Sequence, residues 1–592
     1  MSLGDRVRAS IGDALTRMGM GELAQGVSYV VERPKRAEHG DLATNVAMAL
    51  QKKAGKPPRA IAEELVKALA GSAVVASADV AGPGFVNLHL YPGVFHGELA
   101  DVLRAGRAYG RAPAGTGQRV NVEFVSANPT GPVTVASGRN AVLGDAIARI
   151  LEAAGGRVTR EYYINDRGNQ VRMLAESVRA AAAGKEPPED GYKGAYVAEL
   201  AAWVGKLDPA LLDGDVEALG RICVTWMLRG IPGSAALPGI RPSLADLGVY
   251  FDVWFSEESL HRWGAVDAVI RQLDAGGFLE QKEGALFFKA PEGATEDKDR
   301  VVRKSDGTYA YFASDIAYLA DKAGRGFDRL VYVLGADHHG TLPRFRNAVA
   351  ALGLPADIFD PILYQLVFIT RGGEAVKSSK REGKFVTIHE VMREIDEASG
   401  HKGAGADALR FFFLLRTANS QVDFDIDLAK KASLDNPVFY VQYGHARLCS
   451  ILRNGEALGL RPRADAATLA KLVHPDELSL VHKLGDFPGV VDEAARLREP
   501  HRVVFYVQEL ARDFQSYYTR LKGENDPILP PESVRAKAGW EAGWDFGKTA
   551  ARLAWIEAIR GVYASALGLV GVSAPERMER PPAEGEEEAT AG

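Results

Sequence analysis

Apolar residues near the start of the chain recur at helical spacing (Val7, Ile11, Ala14, Leu15, Met18), and 42–53 and 58–69 repeat that one-sided pattern. The period then shortens: Val74, Val75, Val80 and the run GFVNLHL at 84–90 alternate as strands do. Residues 1–110 are expected to form a small α+β domain. At 119–126 a short strand rich in Val and Phe breaks on ANPTGP (127–132), and Val142, Leu143, Ile147 and Ile150 then mark a helix. A second strand, VTREYYI at 158–164, runs into the polar NDRGNQ. Helical text, a Gly/Pro-rich stretch (230–242) and a hairpin-like segment near 284–288 interrupt this alternation, so about 171–300 reads as an insertion. The β/α pattern resumes at 307–315, read as a strand passing into a helix, and at LVYVL (330–334), read as a buried strand. Beyond 405 the text is helical to about 575, and 576–592 is an acidic tail expected to be disordered.

The length of 592 residues requires several cores. With 46% hydrophobic residues and 71 Lys+Arg against 77 Asp+Glu, the chain reads as globular and slightly acidic, and the net charge of -6 neither demands nor excludes nucleic acid. Cys223 and Cys449 stand far apart, which gives no support to a disulfide framework or a cysteine-based metal site and makes a reducing cytoplasm the expectation. No apolar run reaches spanning length and no leader pattern opens the chain, so no membrane partner is expected.

Candidate chemistry lies where strands end. The 119–145 stretch joins strand, Gly/Pro loop and helix N-terminus, a geometry that holds a phosphate or serves as an ordinary βα turn. Tyr311 and Asp315 are four residues apart, one helical turn. Asp337, His338 and His339 follow a buried strand, where ligand ordering fits better than metal binding because adjacent residues rarely turn both rings to one ion. The loop 372–385, with Lys377, Lys380, Arg381 and Lys384, is either a surface turn or a clamp for phosphates. A basic turn (Arg33, Lys35, Arg36) with Lys52, Lys53, Lys56 and Arg59 is a solvated face or a polynucleotide contact. Aromatic and cationic residues interleave toward the C-terminus, as suits unstacked RNA bases or a core with a solvated Arg face.

Taken in order, VEFVSANPTGP, GRNAVLGDAIARI, EYYINDRGNQ, LGVYFDVWFSEESL, DGTYAYFASDIAYLADK, VYVLGADHHG, KSSKREGKFV and NPVFYVQYGHAR resemble the arginyl-tRNA synthetase family, class I, across nearly the whole chain. The resemblance implies a multidomain α/β protein: an N-terminal α+β domain contacting the tRNA elbow (1–110), a Rossmann-type catalytic domain (111–404) and an α-helical anticodon-binding domain (405–575). It implies ATP with Mg2+, L-arginine and tRNA(Arg) as reactants or partners, and a monomer. Glu123, Ser126 and Asn128 would hold the amino-acid end, with Tyr311, Asp315 and His338 at the guanidinium. ATP would meet Thr134, Ala136, Ser137, Gly138, Asn140, Gly335, Asp337 and Lys380, with Thr134, Ser137, Lys377 and Lys380 in catalytic roles, and tRNA would meet Tyr443, Arg447, Arg512 and Tyr517.

Two departures stand out. Where the class carries His-x-Gly-His, this chain has Thr134-Val135-Ala136-Ser137, so both imidazoles are absent; Lys377-Ser378-Ser379-Lys380 keeps both lysines of the phosphate loop. Two functions of different class follow: an arginine–tRNA ligase, or a tRNA-binding or regulatory paralogue weakened in activation.

Overall fold

The computed structural model describes residues 3–34, 36–291, 293–294, 300–376 and 385–579. At the N-terminus, β1 (Val31–Glu32), β2 (Leu42–Thr44), β3 (Val75–Ala81) and β4 (Phe85–Leu90) form an antiparallel sheet in the order β1-β2-β4-β3. The helices Leu3–Arg17 and Pro58–Leu69 bury Val7, Ile11, Ile61 and Leu65, in a core that also takes Leu88 from the sheet. Residues 42–44, read from sequence as the start of a helix, are a strand. Leu42 and Thr44 pair with Leu88 and Val86, and all three residues are buried, so ladder hydrogen bonds in a covered sheet outweigh the local helical pattern. The basic turn is partly spent on packing: Arg33 donates to the Ser479 carbonyl (2.9 Å) and lies 3.6 Å from Asp486, which docks this domain on the Pro475–Leu497 helix. Lys35 falls outside the described residues.

The catalytic sheet begins with β5 (Arg119–Glu123), β6 (Arg157–Ile164) and β7 (Val253–Ser256). A small antiparallel sheet of β8 (Leu279–Lys282), β9 (Ala285–Phe288) and β10 (Arg300–Arg303) intervenes before β11 (Arg329–Gly335) and β12 (Phe359–Tyr364) complete the main sheet in the order β12-β11-β5-β6-β7. All four neighbouring pairs are parallel. Chain order reverses between β5 and β11, which opens a crevice at their carboxyl ends. β7 lies within the stretch read as an insertion, yet it is the sheet's edge strand. The helices Asn169–Ala182, Ala195–Leu207 and Val216–Arg229 have a core of their own around Leu174, Leu200, Val204, Cys223 and Met227. Of residues 307–310, expected as a strand, only Tyr309 is strand-like: it forms an isolated antiparallel bridge with Arg303, and the chain reverses at 305–306. Asp306 accepts from the Thr308 amide (2.8 Å) and hydroxyl, and the helix Tyr311–Gly324 starts directly after Ala310.

The helix Val135–Ala153 is sealed on nearly every side, between the sheet, the Ala404–Leu414 helix and the C-terminal bundle. β13 (Val367–Arg371), β14 (Glu374–Ala375) and β15 (Val422–Asp425) form a last small sheet, after which Pro437–Ala457, Pro475–Leu497, His501–Gly523 and Phe546–Leu569 pack around Trp555. No helix of the described residues is long and apolar enough to cross a membrane.

One buried ion pair ties these layers together. Arg410, 1% exposed, bonds to Asp145 on the sealed helix, to the Val570 carbonyl (3.0 Å) and to the Leu247 carbonyl (3.1 Å). Burial alone would raise Asp145, but Arg410 and Arg149 hold its carboxyl below the usual range. Gly571 (φ +69°) lies against this guanidinium: an added Cβ would fall 2.1 Å from its nitrogen. Replacing Arg410 with Met should destabilise the junction by about 3–5 kcal/mol, because Asp145 stays buried with its remaining partners at the edge of the site. Urea unfolding followed by tryptophan fluorescence checks this; an unchanged midpoint would show that the pair does not hold the layers.

Candidate active site

β5 delivers Glu123 to the crevice, and the chain beyond it takes a conformation that side chains rarely adopt: φ is +64° at Val125 and +39° at Ser126. Neighbouring groups hold the turn. The Val125 amide donates to Asn140 Oδ1 (2.7 Å), Ser126 Oγ donates to Glu123 Oε1 (3.0 Å) and accepts from the Tyr163 amide (3.1 Å), and the Tyr162 hydroxyl donates to the Ala127 carbonyl (2.7 Å). Asn128 projects at the exposed crest. Asn140, expected at the nucleotide, is 4% exposed and also donates to the Val333 carbonyl (2.9 Å). It is a clamp between β5, its own helix and β11.

At the N-terminus of the sealed helix Thr134 is the cap: its Oγ1 accepts from the Ser137 amide (3.4 Å) and lies 3.3 Å from Ser137 Oγ. Ala136 is exposed on the first turn. Gly138 faces inward, where a Cβ would meet Ile388 at 2.5 Å, so this glycine admits a helix rather than a ligand. Arg139, 1% exposed, meets carbonyls of Gln365, Thr417 and Ser420 (2.6, 3.1 and 2.7 Å), and burial lowers its pKa to about 10. It anchors the base of the small sheet whose β14 leads to residues 377–384. Lys377 and Lys380 lie outside the described residues. The segment that follows them is pinned at the helix N-terminus: Val135 donates to the Val386 carbonyl (3.1 Å) and Ile388 to that of Val133 (3.0 Å).

Carboxylates gather on the other side of β5. Glu123, Glu257 and Asp315 all bear electrostatically on the buried Tyr163, raising its pKa well above the ordinary phenol value after burial itself. Glu257, 4% exposed, bonds with Ser314 and Tyr163, and burial raises its pKa. Asn165, with its amide nitrogen turned toward Glu257, donates to Oε2 at 3.1 Å. Asp315 is pushed up to about 7 by burial, then by Glu257 and Glu123, against a weaker pull from Arg344. Tyr311, one turn earlier, is 63% exposed, and its hydroxyl comes 3.5 Å from where a Cβ on Gly168 would sit, in the polar loop after β6. Asp337 and His338 (3.9 Å apart) stand on an exposed 3-10 turn after Gly335. The crevice thus pairs a helix N-terminus suited to phosphate with an acidic pocket suited to an organic cation.

Sequence reasoning passed over Glu257 and Lys322, although both lie in quoted motifs. Glu257 and Glu258 are indistinguishable in SEESL; only the fold turns the first inward and the second outward to Arg167 (3.2 Å). In the C-terminal bundle, Tyr517 is corrected: it is 1% exposed with its hydroxyl on Glu477 (2.6 Å), itself bonded by the buried Arg552 (2.7 Å), and it presents no ring face to a base. Arg447 lies over the rings of Tyr443 and Tyr518 (4.9 and 5.2 Å), and Arg512 is 65% exposed beside Asp513 (3.4 Å).

A parallel sheet with a crevice at its switch point and a capped helix N-terminus beside it are the architecture of a nucleotide-handling domain of class I synthetase type, and comparison with known proteins agrees. The arginyl tRNA synthetase N terminal domain matches residues 5–90, the class I (R) tRNA synthetase catalytic domain matches 98–190 and 244–403, and the DALR anticodon binding domain matches 441–578. An arginine–tRNA ligase of Frankia alni is 46% identical over 97% of this chain and 99% of its own, and one of Nitratidesulfovibrio vulgaris is 44% identical over 93% and 95%. The Thermus thermophilus arginyl-tRNA synthetase structure superposes with a TM-score of 0.73 at 25% identity, over 97% of this chain and all of that one (100%). The chain belongs to the arginyl-tRNA synthetase family.

The raised Asp315 carboxyl has a direct consequence for the free protein. Its folded pKa of about 7 lies above the reference value of 3.8, so the fold holds this proton more tightly than the unfolded chain and loses stability as pH rises through 7. Between pH 6 and 8 the loss is about 1 kcal/mol, and Asp315→Asn should abolish it. Denaturation of both proteins across that window is the check; identical pH slopes would place Asp315 in a different environment.

Proposed function

We propose that this protein ligates L-arginine to the 3' end of tRNA(Arg) with ATP, through an arginyl-adenylate. The observation that carries the reading is the three-carboxylate pocket of Glu123, Glu257 and Asp315 beside the capped helix N-terminus, in a chain of this family. Arginine brings two cations to that pocket. Glu123 and Asn128 take its amino-acid end, while Asp315, with Tyr311 and His338 nearby, takes the guanidinium, whose planar fork pairs with a carboxylate as an ammonium does not. A carboxylate oxygen of arginine attacks the α-phosphorus of ATP, the bond to the bridging oxygen breaks, and pyrophosphate leaves. A hydroxyl of the terminal tRNA ribose then attacks the activated carbonyl carbon and AMP departs. No protein nucleophile is needed; orientation and charge stabilisation are the enzyme's part.

On the nucleotide side, Thr134, Ala136, Ser137 and the Gly335 and Asp337 turn border the ATP, and Lys377 and Lys380 neutralise charge on its phosphates. Mg2+ enters with the triphosphate as substrate. The protein works as a monomer in the cytoplasm; its two buried free cysteines, Cys223 and Cys449, support the reducing compartment.

The second reading, a tRNA-binding paralogue weakened in activation, rests on Thr134 and Ser137 in place of the signature histidines. Two hydroxyls donate hydrogen bonds to phosphate but carry no positive charge. ATP–pyrophosphate exchange with arginine and tRNA(Arg) separates the two. The ligase reading expects exchange that depends on arginine; exchange at background from folded protein that binds tRNA would establish the paralogue.

For the bundle, Tyr443, Arg447 and Arg512 contact the anticodon stem-loop. Tyr443→Ala should lower aminoacylation of tRNA(Arg) by about 10-fold, the scale of one lost base stack or base contact, and reduce its preference over an anticodon-swapped tRNA. Arg512→Ala should weaken both tRNAs alike and flatten the salt dependence. An unchanged preference in Tyr443→Ala would limit that face to general docking.

A further inference from the structure

Lys322 is buried at 0% exposure in the catalytic domain, on the same helix as Asp315. Its ammonium lies 4.3 Å from the ring centre of Tyr318 and 4.0 Å from that of Tyr332, two electron-rich faces that accept no strong hydrogen bond. Glu161, the nearby carboxylate, is already occupied: it accepts both terminal nitrogens of Arg325 (2.8 Å each), the Tyr318 hydroxyl (2.7 Å) and the Asn121 amide (2.6 Å). The hydrogen bond recorded for Lys322 goes to Glu123 Oε2. The other oxygen of Glu123 accepts from Ser126 Oγ, and Ser126 lies in the left-handed turn that leads to Asn128.

We propose that Lys322 is a positioning residue of the amino-acid pocket: it fixes the direction of the Glu123 carboxylate, and through Ser126 the turn carrying Asn128, without itself touching the substrate. This rests on the reading that Glu123 and Asn128 take the amino-acid end of arginine. Three carboxylates crowd Tyr163, and a carboxylate in such company is driven to hold a proton. The Lys322 side chain, hydrogen-bonded to Glu123 alone of the three, holds that carboxylate in place. The aromatic walls direct the ammonium, since Glu123 offers the open acceptor. In this proposal the lone pairs of Glu123 not used by Lys322 and Ser126 take the substrate ammonium. The ATP side of the site shares none of these groups.

Kinetics of adenylate formation with Lys322→Met, Glu123→Gln and the double variant test this. Lys322→Met is expected to raise KM for arginine by about 10-fold or more while leaving KM for ATP within about 2-fold. The double variant is expected to match Glu123→Gln within about 2-fold, because Lys322 acts through Glu123. A double variant that is weaker than Glu123→Gln by the full Lys322→Met factor would overturn the proposal, as would equal rises in both KM values. If Lys322→Met does not fold, the double variant, which leaves no unpaired buried charge, decides by the same comparison with Glu123→Gln. If Glu123→Gln alone leaves KM for arginine unchanged, the pocket reading fails and the proposal falls with it. If Glu123→Gln raises that KM and Lys322→Met does not, the pocket stands and the proposal alone fails.

Discussion

A charge taken out of water must meet another charge or a set of aligned dipoles, and the interior of this protein is laid out around that requirement. Asp145 meets Arg410 and Arg149; Arg139 meets backbone carbonyls; Glu161 meets Arg325; Glu477 meets Arg552. Apart from Asp145–Arg149, within one helix, each match joins segments distant in the chain, so the same bonds that satisfy the charges also hold the layers in register. Asp145 and Arg410 bring the catalytic sheet's sealed helix, the Leu247 turn and the last turns of the bundle to one point.

Against that background the pocket is defined by imbalance. Glu123 has Lys322, but burial outweighs the pull of Arg167 on Glu257, and Asp315 has the weak pull of Arg344. The fold retains carboxylates whose ionised form it does not fully repay, next to a turn held in strained backbone at Val125 and Ser126. In the proposed reading, a ligand carrying a guanidinium and an ammonium supplies the missing charge, so that amino-acid choice completes an electrostatic balance.

The nucleotide side is built by other means. Gly138 lets the Ile388–Ser399 helix close on the sealed helix, and Arg139 pins the base of the small sheet. Between them they bring the segments flanking the lysine loop to the first turn at Thr134. Thr134 caps that turn with its hydroxyl oxygen. As acceptor in that cap, Thr134 keeps its O–H proton, so in the proposed reading the positive end of the helix dipole, the first-turn amides and the two hydroxyls meet the phosphates.

Much of this was legible before any coordinates. Ordered motifs identified the family, and the continuous apolar run at 330–334 located a strand of the kind a covered parallel sheet buries on both faces, while Val120, Val122 and Phe124 located its neighbour by alternation. What a local pattern conveys is which residues can share a face. It does not convey which residues share a dielectric environment. That Glu257 turns inward while Glu258 turns out, that Tyr517 is core, that Asn140 is a clamp, and that 42–44 is a strand were all decided by packing between segments far apart in the chain. Burial and charge pairing are properties of the assembled interior, and a sequence window of a few residues contains neither.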